Sequence, residues 1–341
     1  MVQTKFQTAV EIPVFKWKTG YSKKNLFIGP CFTENVGNKM AALKYDVDIN
    51  PFGILYNPAS VANNIKILLG KKQIGDKELI HYNGLWHSFF HHGKFSGPDK
   101  HKTLENIHSS IHFSSEYLKT TDFLFLTFGT AWIYEYKKTG QAVSNCHKIP
   151  AAAFNRRRLG VDEISNRYIH LLPEIWKLNP DCKVVFTVSP VRHWKDGAIE
   201  NQRSKATLHL AIDKITREFS SEKCGYFPTY EIMMDELRDY RFYANDMIHI
   251  SETGINHIWN LFEESLIDKE SIQQAPRIQQ IIKAFQHRPF NRFSKEYLSF
   301  LNAALNQVKE LQKDFPNLNF ELEKSHFINE INEIKNKFEQ F

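Results

Sequence analysis

Three short apolar runs, at residues 25–29, 123–128 and 183–188, constrain this chain more than anything else in it. None alternates apolar with polar, so each reads as a strand buried on both faces. A fainter run of the same kind spans 225–232. Between the runs, apolar residues recur at helical spacing over 32–43, 57–69, 161–178 and 201–219. Pro58, directly after Asn57, suits the first position of a helix. Strands alternating with helices in this way imply a parallel sheet covered on both faces.

Two insertions interrupt the alternation. Residues 71–102 are rich in histidine, glycine and aromatics and lack a clear period, whereas 131–146 read as a hairpin, "AWIYEY", "KKTG", "QAVSNC". The "RRR" at 156–158 reads as a solvated turn ahead of the helix at 161–178. After about residue 268 the pattern turns helical throughout, with "HRPFNRF" as a link. The expected division is therefore a main domain over 1–267 and a helical C-terminal extension over 268–341. The extension could cover a pocket or join subunits into a homo-oligomer.

Composition narrows the partners. With 341 residues, 42% hydrophobic and 24% charged, the chain has the make-up of a soluble globular protein. Its net charge of +6 is spread over small runs rather than a basic stripe, which argues against nucleic acid. The four cysteines lie far apart without a CxxC pair, giving neither a zinc spacing nor a disulfide framework. The opening from Met1 to Glu11 is polar and lacks the pattern of a signal peptide. The most apolar stretch, 123–134, is shorter than the ~20 residues of a membrane span. No membrane partner is expected, and the cytoplasm, with reduced thiols, is the default location.

The residues with chemical potential lie apart in the sequence. Cys31 sits directly after the first strand, where a helix begins. Backbone N–H groups and the helix dipole at such a junction favour a thiolate, and the other reading is a small buried hydrophobe. Far downstream, "YANDMIHISETG" places Asp246 and His249 three apart. A carboxylate behind a histidine holds one tautomer and stabilises the imidazolium, which makes a general base toward a thiol. The other reading is a capping aspartate beside a half-exposed histidine. Arg192 and His193, in "SPVRHW", follow the 183–188 strand, and loops at the carboxyl ends of parallel strands surround the binding crevice. They are candidates for an anionic or polar substrate group, while an ion pair with a surface acid is the plainer fate for Arg192.

His81, His87, His91 and His92 invite a metal reading, with His87 and His91 at i, i+4. There is no HExxH, and Glu78 and Asp99 bear no fixed relation to the rings. The preferred reading is a pocket-lining insertion with Trp86 and His87 near the substrate and no metal. Neighbouring strand residues face opposite ways, so Cys146 and His147 read as a packed cysteine beside a pocket histidine, not as a working pair.

Taken together and in this order, the elements resemble the SGNH/GDSL hydrolases, in which a nucleophile closes the first strand and Asp-x-x-His precedes the last helix. The chain resembles one branch of that superfamily, the GSCFA-domain proteins. The blocks that carry the resemblance are "FIGPCFTENVG" at 27–37, "NPFGILYNP" at 50–58, "LWHSFFHH" at 85–92 and "TFGTAWIYE" at 127–135. They continue with "NCHKIP" at 145–150, "TVSPVRH" at 187–193 and "YFPTYEIMMDELRDYRFYANDMIH" at 226–249. The resemblance covers roughly residues 20–265.

It implies a flavodoxin-like three-layer α/β/α sandwich with a mostly parallel five-stranded sheet. It also implies an esterase or acyltransferase that needs no cofactor, with Cys31 as nucleophile, His249 as base and Asp246 orienting it. Where the family motif reads Gly-Ser-Cys-Phe, this chain has Gly29-Pro30-Cys31-Phe32, which removes the serine and leaves Cys31 in the reactive place. The implied oxyanion donors are the N–H groups of Cys31 and Gly53. The usual third donor, an asparagine, is replaced in Gly129-Thr130-Ala131-Trp132. Thr130 is the first substitute, ahead of Asn145 and His147. Trp86, Trp132 and Trp194 at the mouth would suit a carbohydrate O-acyl group. The rival expectation is a binding protein for a polar or anionic small molecule that has lost turnover.

Overall fold

Side chains along the central strands divide strictly by parity. Leu26 and Ile28 enter one apolar cluster and Phe27 the other; Leu124, Leu126 and Phe128 enter the first, Phe123 and Phe125 the second. This two-sided burial is what the continuous apolar runs encode. The computed structural model describes residues 8–316 and 318–339. The first seven residues of the polar opening lie outside that description.

In chain order the elements begin β1 (Lys24–Ile28), α1 (Cys31–Ala42), β2 (Asp46–Ile49) and α2 (Pro58–Leu68). Then follow β3 (Leu79–Tyr82), β4 (Leu85–Ser88), α3 (Lys100–Leu118), β5 (Phe123–Phe128), β6 (Trp132–Tyr136) and β7 (Gln141–Val143). After these come β8 (Phe154–Arg158), α4 (Val161–Leu178), β9 (Lys183–Val188), α5 (Gly197–Glu218), β10 (Cys224–Tyr226) and the single turn α6 (Thr229–Glu231). Four helices close the chain: α7 (Glu252–Leu266), α8 (Lys269–Gln286), α9 (Lys295–Asp314) and α10 (Glu321–Glu339).

The main sheet is five-stranded and parallel, in the order β10-β9-β5-β1-β2. Counted along the chain, that is the flavodoxin-like order 2-1-3-4-5, whose switch point lies between β1 and β5. Helices α2, α3, α4 and α5 supply the cluster on one face, through Ile65, Ile107, Leu172 and Leu208 among others. Helices α1 and α7 cover the other through Phe32, Met40, Ile258 and Phe262. Three layers result, as expected.

The C-terminal helices share the second cluster with α1 and α7. Ile278, Leu301, Val308, Phe320, Phe327 and Ile334 are all at or near zero exposure within it. Tyr21 stacks on Tyr45 and meets Phe315 edge-on, and Lys44 pairs with the buried Glu323. Among the described residues no helix is long and apolar enough to cross a membrane.

Four details differ from the expectation. The strand at 225–232 ends at Tyr226, because Pro228 opens a helical turn there. Strand β2 (DVDI) carries no apolar run, since it forms one edge of the sheet. "RRR" is no turn: it lies in β8, which pairs antiparallel with β6 and makes a three-stranded sheet with the 131–146 hairpin. Arg157 forks onto Glu163 and reaches Glu135, while Arg156 lies over the Trp132 ring and pairs with Asp196. Finally, the 71–102 insertion contains the β3/β4 hairpin, turning at Asn83 (φ 49°) and Gly84 (φ 74°). Two left-handed residues there match the tight Asn-Gly turn.

Candidate active site

The turn after β1 is fixed before any chemistry is considered. The Gly29 N–H donates to Asn50 Oδ1 (2.8 Å), and the Gly29 carbonyl accepts from Leu55 N (3.0 Å). A Cβ on Gly29 would lie 2.8 Å from the Thr127 carbonyl oxygen, so only glycine fits between β1 and β5. Asn50 also donates through Nδ2 to Glu34 (3.3 Å), tying the turn to α1. Pro30 caps α1 without a side-chain hydrogen bond, and Cys31 is the first helical residue. The first N–H groups of a helix have no intrahelical partner.

Cys31 lines a cavity of about 380 Å³ together with Tyr56, Gly129, Ser189, Arg192, His193, Trp194, Lys195 and His249. These residues come from loops at the carboxyl ends of β1, β2, β5 and β9 and from the segment before α7. The Cys31 turn and Gly129 straddle the switch point, where open α/β sheets bind ligands. Gly129 is glycine because a Cβ would stand 2.9 Å from the Tyr56 carbonyl, which accepts the N–H groups of Gly129 and Thr130 (2.8 and 2.9 Å).

Asp246 and His249 form one local unit. Asp246 Oδ1 accepts the N–H groups of Ile248 (3.0 Å) and His249 (2.9 Å), and Oδ2 meets His249 Nδ1 at 2.5 Å. These bonds, the His249 side chain first, hold the Asp246 carboxyl down to about 2. Nδ1 is thereby occupied, and Nε2 is the nitrogen left to exchange a proton. Ser251 then caps α7 by accepting the Gly254 N–H (3.3 Å). Sequence reasoning missed Tyr56, although it lies inside the quoted 50–58 block. It lines the cavity with Cys31, and burial, then the negative charge of a Cys31 thiolate, push its hydroxyl up to about 12. It is a phenol donor at any ordinary pH.

Burial pushes Cys146 up to about 11 and Cys182 and Cys224 to about 12. Beneath the cavity, the fully buried Lys205 donates to the carbonyls of Gly129 (2.7 Å) and Ser189 (2.6 Å), holding the β5 and β9 loops together. Burial, then the charge of Arg192, lowers it to about 7. His193 faces Asp196 at 3.5 Å and lies below the usual histidine range, mainly through burial.

Several candidate residues are engaged elsewhere. The Gly53 N–H donates to the Asn50 carbonyl (2.7 Å), and Gly53 is glycine for a different reason: at φ 77° a Cβ would meet His92 Cβ at 2.3 Å. The Thr130 hydroxyl bonds with Ser204 (3.1 Å) and accepts from Trp132 N (3.1 Å). Both differ from the oxyanion expectation, and the Cys31 N–H at the helix start is the member of that set still next to the sulfur. Nor does the structure bring Trp86, His87, Trp132, Asn145 or His147 to the cavity lining. Trp86 packs against His81 under Lys100, and His87 is held by Ser96 and the Tyr82 carbonyl while stacking on His147. Asn145 accepts the His147 N–H (2.8 Å). His91 and His147 are pushed down to about 3 and about 4, chiefly by burial. His87, His91 and His147 therefore form part of a small buried polar cluster. Among the described residues no three or more His, Cys, Asp or Glu gather as a metal-ligand set.

A model of the GSCFA family matches residues 24–262, and a model of the GSCFA domain protein, C-terminal domain, matches 278–333. Among solved structures, a family 3 carbohydrate esterase of Clostridium thermocellum is 12% identical, covering 74% of this chain and 98% of that one, with a TM-score of 0.31. An acetyl xylan esterase (Est2A) from the rumen bacterium Butyrivibrio proteoclasticus is also 12% identical, covering 72% of this chain and 65% of that one, with a TM-score of 0.37. No curated protein matches the sequence.

Proposed function

The chain belongs to the GSCFA family, main and C-terminal domains alike, and from that premise we propose that it hydrolyses an acyl ester through Cys31. The observation that carries this reading is one cavity lined by Cys31, Tyr56 and a His249 ring held by Asp246. Cys31 Sγ attacks the carbonyl carbon while His249 Nε2 takes the thiol proton. The tetrahedral oxyanion faces the Cys31 N–H at the start of α1, where the helix dipole favours negative charge. As the C–O bond breaks, His249 returns the proton to the leaving alcohol, and a thioester remains on Cys31. Water, deprotonated by the same nitrogen, then releases the acid and restores the thiol. Another acceptor in place of water would make the reaction a transfer.

Trp194 is the one of the three tryptophans at the cavity, so a carbohydrate O-acyl substrate rests on that ring alone. A second reading has its own observation: with Gly53 and Thr130 engaged elsewhere, the oxyanion set is thin, as in a binding protein without turnover. A screen of short-chain acyl esters separates the two. The hydrolase reading expects turnover in the wild type that is lost in Cys31→Ala. Turnover unchanged in that variant removes Cys31 from the chemistry, and no turnover of any ester favours the binding reading.

A further inference from the structure

The cavity at Cys31 has a neighbour of about 480 Å³, and the two share Arg192, Trp194 and Ile248. Most ionic groups lining the neighbour are already matched. Arg238 meets Asp235 (3.4 Å), Asp239 meets Arg241 (2.8 Å) and Asp246 meets His249. Arg192 differs: among the described residues it has no hydrogen-bond or ion-pair partner, and its buried Nε is unpaired. Its guanidinium instead lies over the Trp194 ring, 5.0 Å from the centroid, which fixes a flexible side chain in one plane.

Charges of both signs lie near Arg192: Asp239 and Asp246 line the same chamber, each already paired, and two lysines stand close. Lys205 hydrogen-bonds to carbonyls and lies over the Tyr230 ring, and the charge of Arg192 lowers it. Lys195, on the same wall, donates to the Tyr134 hydroxyl (3.0 Å). A guanidinium held flat, with its donors unspent and a second cation behind it, matches the planar, two-oxygen face of a carboxylate or phosphate. An anion seated there would also relieve the repulsion between Arg192 and Lys205.

We infer that the substrate carries an oxyanionic group, a carboxylate or phosphate outside the scissile bond, that docks on Arg192 between the two chambers. The acyl group then lies at Cys31, and the charged remainder runs past Trp194 toward Tyr243. The inference rests on the Cys31 cavity being the reaction site, but the anion contact has a readout of its own.

Calorimetric titration of the full chain with inorganic phosphate and, separately, with succinate tests it and distinguishes the two anions. The wild type should bind at least one of them, with affinity falling about tenfold or more in Arg192→Gln and to an intermediate degree in Arg192→Lys, which keeps charge without the fork. Circular dichroism checks that both variants are folded. A wild type that binds neither anion, or an Arg192→Gln variant that binds as tightly as the wild type, overturns the inference. Hydrolysis of phenyl acetate and of 4-acetoxybenzoate separates this result from the ester reading. Both esters turned over with equal efficiency and no anion bound would remove the Arg192 contact and keep the ester chemistry. Anion binding that needs Arg192, with neither ester turned over, would keep the contact and remove that chemistry.

Discussion

At the scale of single residues, the site depends on hydrogen bonds that keep a few atoms in one protonation state. Asp246 is held down to about 2, below the ~3.9 of an unfolded aspartate. A carboxyl lowered on folding stabilises the native state above its unfolded value, and the contribution fades as pH falls through about 2. Asp246 therefore stays ionised across the working range, and any acid limb in a pH–rate profile near neutrality should survive in Asp246→Asn. That variant should lower kcat/KM about a hundredfold through loss of the imidazolium partner; an unchanged rate would detach Asp246 from catalysis. Tyr56→Phe removes the hydroxyl that shares the cavity with Cys31 and should slow acylation about five- to tenfold without lowering Tm. Cys31, Asp246 and His249 were legible as types at a spacing. Tyr56 was not, because a tyrosine beside Asn57-Pro58 signals only a helix start. The engaged N–H of Gly53 was equally hidden, since a glycine shows that the backbone is unusual but not where its N–H points.

At the scale of elements, the legible strands are those buried on both faces. Central β1, β5 and β9 appear as continuous apolar runs, while the edges β2 and β10 blur, for an edge strand is covered less and pairs on one side only. Strand β8 was masked by its three arginines, whose charges are met by Glu135, Glu163, Asp196 and Glu200 across neighbouring elements. The β3/β4 hairpin had a readable signal in Asn83-Gly84, but the insertion around it has no clear period and read as pocket lining. The element that matters most for function is the β1–α1 turn, which Asn50 pins from the next strand's end. Asn50→Ala leaves the buried Gly29 N–H unpaired and should cost about 1–3 kcal/mol by denaturant unfolding, together with a slower reaction at Cys31. Stability unchanged within error would show that the turn holds itself.

At the scale of the whole molecule, the C-terminal helices complete a layer. The change of texture after residue 268 reads as an appendage, yet Phe320 and Phe327 are fully buried in the cluster that also holds Phe32 and Met40. Sequence periodicity shows that a helix has an apolar face but not what that face meets, which is why the shared core was out of reach. A chain ending at residue 267 would expose part of that cluster, at roughly 1.5–3 kcal/mol for each large side chain uncovered. It should unfold at lower denaturant than the full chain or fail to fold. An equally stable shortened chain would show the helices to be separable.

The central claim is that His249 activates Cys31, and selective alkylation tests it most directly. The intact protein is treated with iodoacetamide near pH 7 and each cysteine is followed by mass spectrometry. Burial holds Cys146, Cys182 and Cys224 well above that pH, at about 11, 12 and 12, so Cys31 should be labelled first and its lead should vanish in His249→Ala. Slow, equal labelling of all four cysteines in the wild type would contradict the account.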